Sequence, residues 1–64
     1  MTELIVKNGY GIVKIEGHEF VVLKMDGVYS LRHNHYWVKN NCKRLSTLQK
    51  FINERNYDII IKEI

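Results

Sequence analysis

"VKNGYGIVKIEGHEFVVLKMDGVYSLRH", residues 6–33, decides the fold. Two dipeptides in it, Asn8-Gly9 and Asp26-Gly27, suit the positive φ angles of two-residue type I′ turns. Gly17-His18 between them fits a type II′ turn, with glycine first. Apolar, β-branched runs separate the three turns. This is the pattern of a four-stranded antiparallel meander, with strands at roughly 2–7, 10–16, 19–25 and 28–33.

Turn positions set the register, and register sets the faces, because side chains alternate along a strand. Val6 then faces Gly11, Ile15 faces Phe20, and Val22 faces Leu31. One face collects Leu4, Val6, Val13, Ile15, Phe20, Val22, Tyr29 and Leu31. The other collects Ile5, Tyr10, Ile12, Val21, Leu23, Met25 and Val28, diluted by Lys14, Ser30 and Arg32. This second face is too apolar for open water. It is expected to be covered by curling of the sheet or by a second copy, which makes Ile5, Ile12, Val21, Leu23 and Met25 the candidate dimer or partner face.

Downstream, Ser46 and Gln49 have the S-x-x-Q spacing of a capping box. Leu48, Phe51 and Ile52 form one helical stripe, and Asn56 suits a left-handed C-cap. A helix of about ten residues is expected, too short to stand alone and so docked by that stripe. "YDIIIKEI", residues 57–64, reads as a fifth strand. After four strands, a helix running back would lay this strand antiparallel to the first. The expected architecture is a single α+β domain over 1–64: an antiparallel meander, one short helix and a C-terminal strand, in order 5-1-2-3-4. This order is compatible with a small curled barrel of SH3-like outline.

A 64-residue chain lies near the lower limit for independent folding. Cys42 is the only cysteine, so no internal disulfide can support it. A lone thiol points to a reducing compartment, and the N-terminal residues lack the pattern of a signal peptide. No apolar run approaches the ~20 residues of a membrane helix. A cytoplasmic protein is expected. Ala and Pro are absent while Ile, Lys and Asn abound, a bias typical of AT-rich coding sequence and suggestive of a low-GC bacterium, a phage or a mobile element.

The net charge of +3 is unevenly placed. Residues 27–53 carry Arg32, Lys39, Lys43, Arg44 and Lys50 and no acid, whereas acids match or outnumber bases on either side. Lys43 and Arg44 directly precede the expected helix cap. Cations there oppose the helix dipole, an arrangement more readily understood if an anion occupies the site. With the Ser46 and Thr47 hydroxyls and free backbone N–H groups they would form a phosphate cradle. Tyr36 and Trp37 would stack on bases, and Arg32, Lys39 and Lys50 would extend the positive field. The competing reading is a plain solvated basic surface with Trp37 buried as a core residue.

Other chemistries are less well supported. His18, His33 and His35 would extend one ladder from Phe20, with Cys42 a loop away, and these are zinc-ligand types. However, their spacing is not the paired spacing of a structural site, and no acid lies between Asp26 and Glu54 to serve as a base. No metal or cofactor is expected. Cys42 and Ser46 have no evident positioned base, and no Gly-rich phosphate loop exists. The expectation is a non-enzymatic binding domain that recognises an acidic partner, most simply nucleic acid, through segment 32–50. The alternative is a phage- or mobile-element-encoded protein-interaction or inhibitor module acting on a host protein, as a homodimer.

Overall fold

A computed structural model describes residues 1–64. The elements are β1 (Thr2–Val6), β2 (Tyr10–Ile15), β3 (His18–Met25), β4 (Val28–His33), β5 (Tyr36–Cys42), α1 (Leu45–Glu54) and β6 (Ile59–Glu63). β2-β3-β4-β5 form an antiparallel sheet, and β1 pairs with β6 as a parallel two-stranded sheet. The α+β class holds, as does the placement of the last strand beside the first. The strands do not close into a barrel.

The turns explain the register. Asn8 and Gly9 have φ of 54° and 81°, and Asp26 and Gly27 have 54° and 78°, as expected for type I′ turns. The middle turn lies one residue earlier than expected: Glu16 and Gly17 take φ of 50° and 83°, and Ile15 pairs with His18. A type I′ turn matches the right-handed twist of its strands, and placing Gly17 second leaves Glu16 in the left-handed region. Pairing moves by two positions, from Ile15–Phe20 to Val13–Phe20. A shift of two preserves parity, so the expected faces survive.

β5 is an addition to the expected elements, which place none between residue 33 and the Ser46 cap. Asn34, at φ 56°, turns the chain so that Tyr36 pairs with His33. Its backbone N–H donates to Glu19 O at 2.7 Å, and its side-chain oxygen accepts from the Glu19 N–H at 2.9 Å. β5 is irregular: its register slips twice against β4, and Asn41 takes φ 58° beside one slip. The extra strand has a topological consequence. One more reversal means that α1 returns in the opposite sense, so β6 runs parallel to β1 rather than antiparallel.

β1 stays with β2 only at the hairpin, through the Lys7–Tyr10 bridge. Gly11 marks where they cross: a Cβ there would lie 2.4 Å from Ile5 O and 2.6 Å from a Leu4 methyl.

The core lies between the inner sheet face and α1. It comprises Leu4, Val6, Phe20, Val22, Tyr29, Leu31, Cys42, Leu48, Ile52, Ile59 and Ile61, with Val13, Ile15, Val38, Leu45, Phe51 and Tyr57 packed at its margin. The capping box is not realised. Arg44 is the N-cap, makes no side-chain cap bond, and leaves Ser46 exposed inside the first turn. Starting two residues early brings Leu45 onto the core. Burying much of a leucine, about 1.5–3 kcal/mol in full, outweighs a serine cap worth about 1 kcal/mol. The C-terminus is as expected: Asn56 has φ 58°, its N–H donates to Asn53 O, and the Tyr57 N–H donates to Ile52 O, a Schellman motif.

Gln49 has a tertiary role instead. Asp58 O and the Ile64 N–H bond to β1, so strand alternation turns Ile59 O and the Ile61 N–H to the open edge of β6. The Gln49 amide meets both, donating to Ile59 O at 2.9 Å and accepting from the Ile61 N–H at 2.8 Å. At the end of β6, Glu63 accepts from the Tyr29 hydroxyl and from Lys24 Nζ.

Candidate binding surfaces

The outer face of β2–β5 is open. One row crosses all four strands: Ile12 pairs with Val21, Val21 with Arg32, and Arg32 with Trp37. Below it Tyr10 pairs with Leu23 and Leu23 with Ser30. Trp37 is 46% exposed, Ile12 44%, Tyr10 48% and Met25 66%. Trp37 is therefore not the core residue of the competing sequence reading, because β5 places it outward opposite Arg32. The Arg32 guanidinium lies 5.7 Å from the Trp37 ring centre and reaches Glu19 at 3.4 Å. Ile5 faces outward from β1 and is exposed. Val21, expected at the partner face, is only 1% exposed. Its cross-strand neighbours Ile12 and Arg32 cover it, so it supports the face rather than offering contact area.

The basic and aromatic residues expected to form one surface are separated. Arg32 and Trp37 belong to the outer face. Lys43, Arg44, Ser46, Thr47 and Lys50 lie exposed around the start of α1, which covers the inner face. Lys39 is held against the helix flank, 5.6 Å from the Phe51 ring centre, with Arg55 over the same ring at 5.0 Å. Tyr36 is exposed at the far end of β5. Lys24, Arg32 and Lys62 form ion pairs with Glu63, Glu19 and Glu3, but Lys43, Arg44 and Lys50 form none. The first helical turn contains no acid.

The histidines converge in part. His18 Nδ1 and His33 Nε2 are 3.0 Å apart. His33 stacks on Phe20 at 4.5 Å between ring centres, and Tyr57 packs against both. The open cavity there is also lined by Ile15, Glu16, Asn56 and Asp58. His35 does not join them: with Lys14, Gly17, Glu19, Asn34 and Tyr36 it lines a different depression. Cys42 is buried opposite Tyr29, at the other end of β4 from His33. No three His, Cys, Asp or Glu side chains are grouped closely enough to share a metal ion.

Burial first, and the charge of His18 second, hold the His33 imidazole below the ordinary histidine value of 6.5. The fold therefore favours neutral His33, and the unfolded chain takes up that proton first. Stability is expected to fall as pH drops below about 6.5 and through the folded-state value. Glu63 behaves similarly in a lower window. The Tyr29 hydroxyl, followed by Lys24, holds its carboxyl below 4.5, so that contribution persists above 4.5 and is lost as pH falls through the folded value. Urea midpoints measured against pH should show both steps, and His33→Gln should remove only the upper one.

Among residues that matter here, sequence reasoning missed Asn34 and Gln49 as tertiary hydrogen-bonding groups. Asn34 had a detectable signal, since asparagine tolerates positive φ and "YWV" at 36–38 has strong β propensity. Gln49 had none, because its partners are backbone groups ten and twelve residues away.

No helix is long and apolar enough to cross a membrane. No protein-family model, curated protein or solved structure matches this chain. The class is thus defined by geometry alone: a small α+β domain with one filled sheet face and one open.

Proposed function

We propose that this protein is a non-enzymatic recognition domain that docks a protein partner through the outer face of β2–β5. One observation carries the reading. Tyr10, Ile12, Met25 and Trp37, with Arg32 over the tryptophan, form an exposed surface that no element of the chain covers. Aromatic residues, Met and Arg are the types enriched at protein interfaces and their energetic centres. A contiguous apolar patch on so small a domain marks an interaction site. The reduced, buried Cys42 and the AT-rich composition fit an intracellular module of a phage or mobile element acting on a host protein. Affinity capture from a host lysate, with nuclease and at high salt, tests this. Capture of a defined protein should persist under both treatments and be lost in an Ile12→Asp/Trp37→Asp double variant that keeps its circular dichroism. Equal capture by parent and variant would sink the proposal.

The unpaired cations at the start of α1 favour a second reading, in which an anionic partner, most simply nucleic acid, binds there. Replacing Lys43 and Arg44 with Gln should leave stability unchanged or raise it by about 0.3–1 kcal/mol per charge, because repulsion from the helix dipole is relieved. Two lost phosphate contacts should flatten the log–log salt dependence by about 1.8 for duplex DNA or about 1.4 for a single strand. Trp37→Ala should leave this binding unchanged, since Trp37 belongs to the other face. If the parent binds neither DNA nor RNA at low salt, this reading fails.

A further inference from the structure

We infer that the occupant of the outer face is a second copy of this chain, packed sheet to sheet about a two-fold axis parallel to the strands between β3 and β4. The inference rests on the outer-face reading above and names what holds that face until a host protein displaces it. The row Ile12–Val21–Arg32–Trp37 is its own complement about that axis. Rotation lays β2 over the second copy's β5, so each Ile12 meets the Trp37 of the other chain, aliphatic on aromatic, at both ends of the row. It also lays β3 over β4, which brings each Arg32 toward the Glu19 of the other chain.

Charge selects this occupant over an unrelated apolar surface. Within one chain Arg32 and Glu19 make only one long contact of 3.4 Å, and Arg32 Nε is buried with no hydrogen-bond partner. Covering them with a purely apolar surface would desolvate both charges without compensation. A second copy supplies an equal and opposite pair on the far side of the axis, and the four groups can share their hydrogen bonds.

The expected interface is small. Four strands about 4.8 Å apart and about 20 Å long present roughly 400 Å² in projection per copy. The two copies together then cover roughly 800 Å², below the ~1,200 Å² of standard specific interfaces and in the range of weak contacts, so the dimer should dissociate on dilution.

Sedimentation of the full chain at tens of micromolar, followed by dilution, tests assembly. Oxidation of mixed Ile12→Cys and Trp37→Cys variants tests the docking. The parent should sediment as a dimer, Trp37→Asp as a monomer, and the mixture should cross-link although neither cysteine variant does alone. A parent that stays monomeric overturns the second-copy inference. The outer-face reading then still stands if capture from the lysate is lost in the Ile12→Asp/Trp37→Asp variant. A dimer without mixed cross-linking overturns this docking. A dimer unchanged by Trp37→Asp overturns the inference and the use of this face for assembly together.

Discussion

Gly11→Ala is expected to lower the melting temperature by about 15 °C or more, and at physiological temperature a large fraction of the variant should be unfolded. A Cβ at this position would lie 2.4 Å from a backbone oxygen, Ile5 O, which cannot swing aside as a flexible side chain can. Relief requires β1 to move away from β2, and β1 carries Leu4 and Val6, both fully buried. Overpacking of this kind lies in the upper range for single substitutions, about 3–4 kcal/mol. A 64-residue domain has roughly 3–10 kcal/mol in total. At about 4–8 °C per kcal/mol, the shift follows. Gly17→Ala is the control. Nothing approaches a Cβ there, and only the left-handed backbone at φ 83° resists alanine, which costs about 1–2 kcal/mol. Thermal circular dichroism of both variants settles the comparison. If Gly11→Ala melts no lower than Gly17→Ala, β1 does not cross β2 as described.

Gln49→Leu is expected to destabilise by about 2–4 kcal/mol, although leucine is a strong helix former. The substitution removes the amide from Ile59 O and the Ile61 N–H and leaves both backbone groups beside an apolar side chain. Each group stranded in this way costs about 1–3 kcal/mol. Gln49→Glu separates the two bonds, because a carboxylate still accepts from the Ile61 N–H but no longer donates to Ile59 O. It should lose less than leucine does. Urea unfolding of the three proteins gives the order, and a leucine variant as stable as the parent would show that water satisfies the β6 edge instead. The exposed edge is a further readout: freed of its amide cover, β6 becomes a template for edge-to-edge pairing, so Gln49→Leu should also aggregate more readily.

The inner face was legible because it depends on parity alone. Misplacing the turn at Glu16-Gly17 by one residue moved the pairing by two, and a period-two pattern cannot register that change. Every inner-face residue read from the turns lies in the core or against it. Direction depends instead on the number of reversals, and a single unrecognised strand inverted the expected sense of β6. β5 escaped notice because Lys39, Asn40 and Asn41 break its apolar pattern after Val38, and because its bulges disturb the alternation that remains. The capping motif at Ser46 and Gln49 was a true local signal overridden by burial of Leu45. As for the candidate surfaces, the apolar outer face followed from register. The separation of Trp37 from the basic helix start did not, because proximity in sequence across residues 37–44 conceals a strand that ends on the far side of the sheet.

The parallel pairing of β1 with β6 also bears on the order in which the molecule assembles. β2 to β5 are joined by tight turns, and each hairpin forms from contacts a few residues apart. β1 meets β6 in a ladder from Thr2–Ile59 to Val6–Glu63, which closes a loop of more than fifty residues. The entropy of that closure is lost before any of its contacts form, so the local hairpins gain structure first. Ile59 and Ile61 complete the core only when this last closure occurs. Until then Leu4 and Val6 have no fixed cover, and the apolar stripe of α1 has only β4 and β5 to pack on. The half-formed meander, open on both faces, is therefore the species most exposed to capture by other chains.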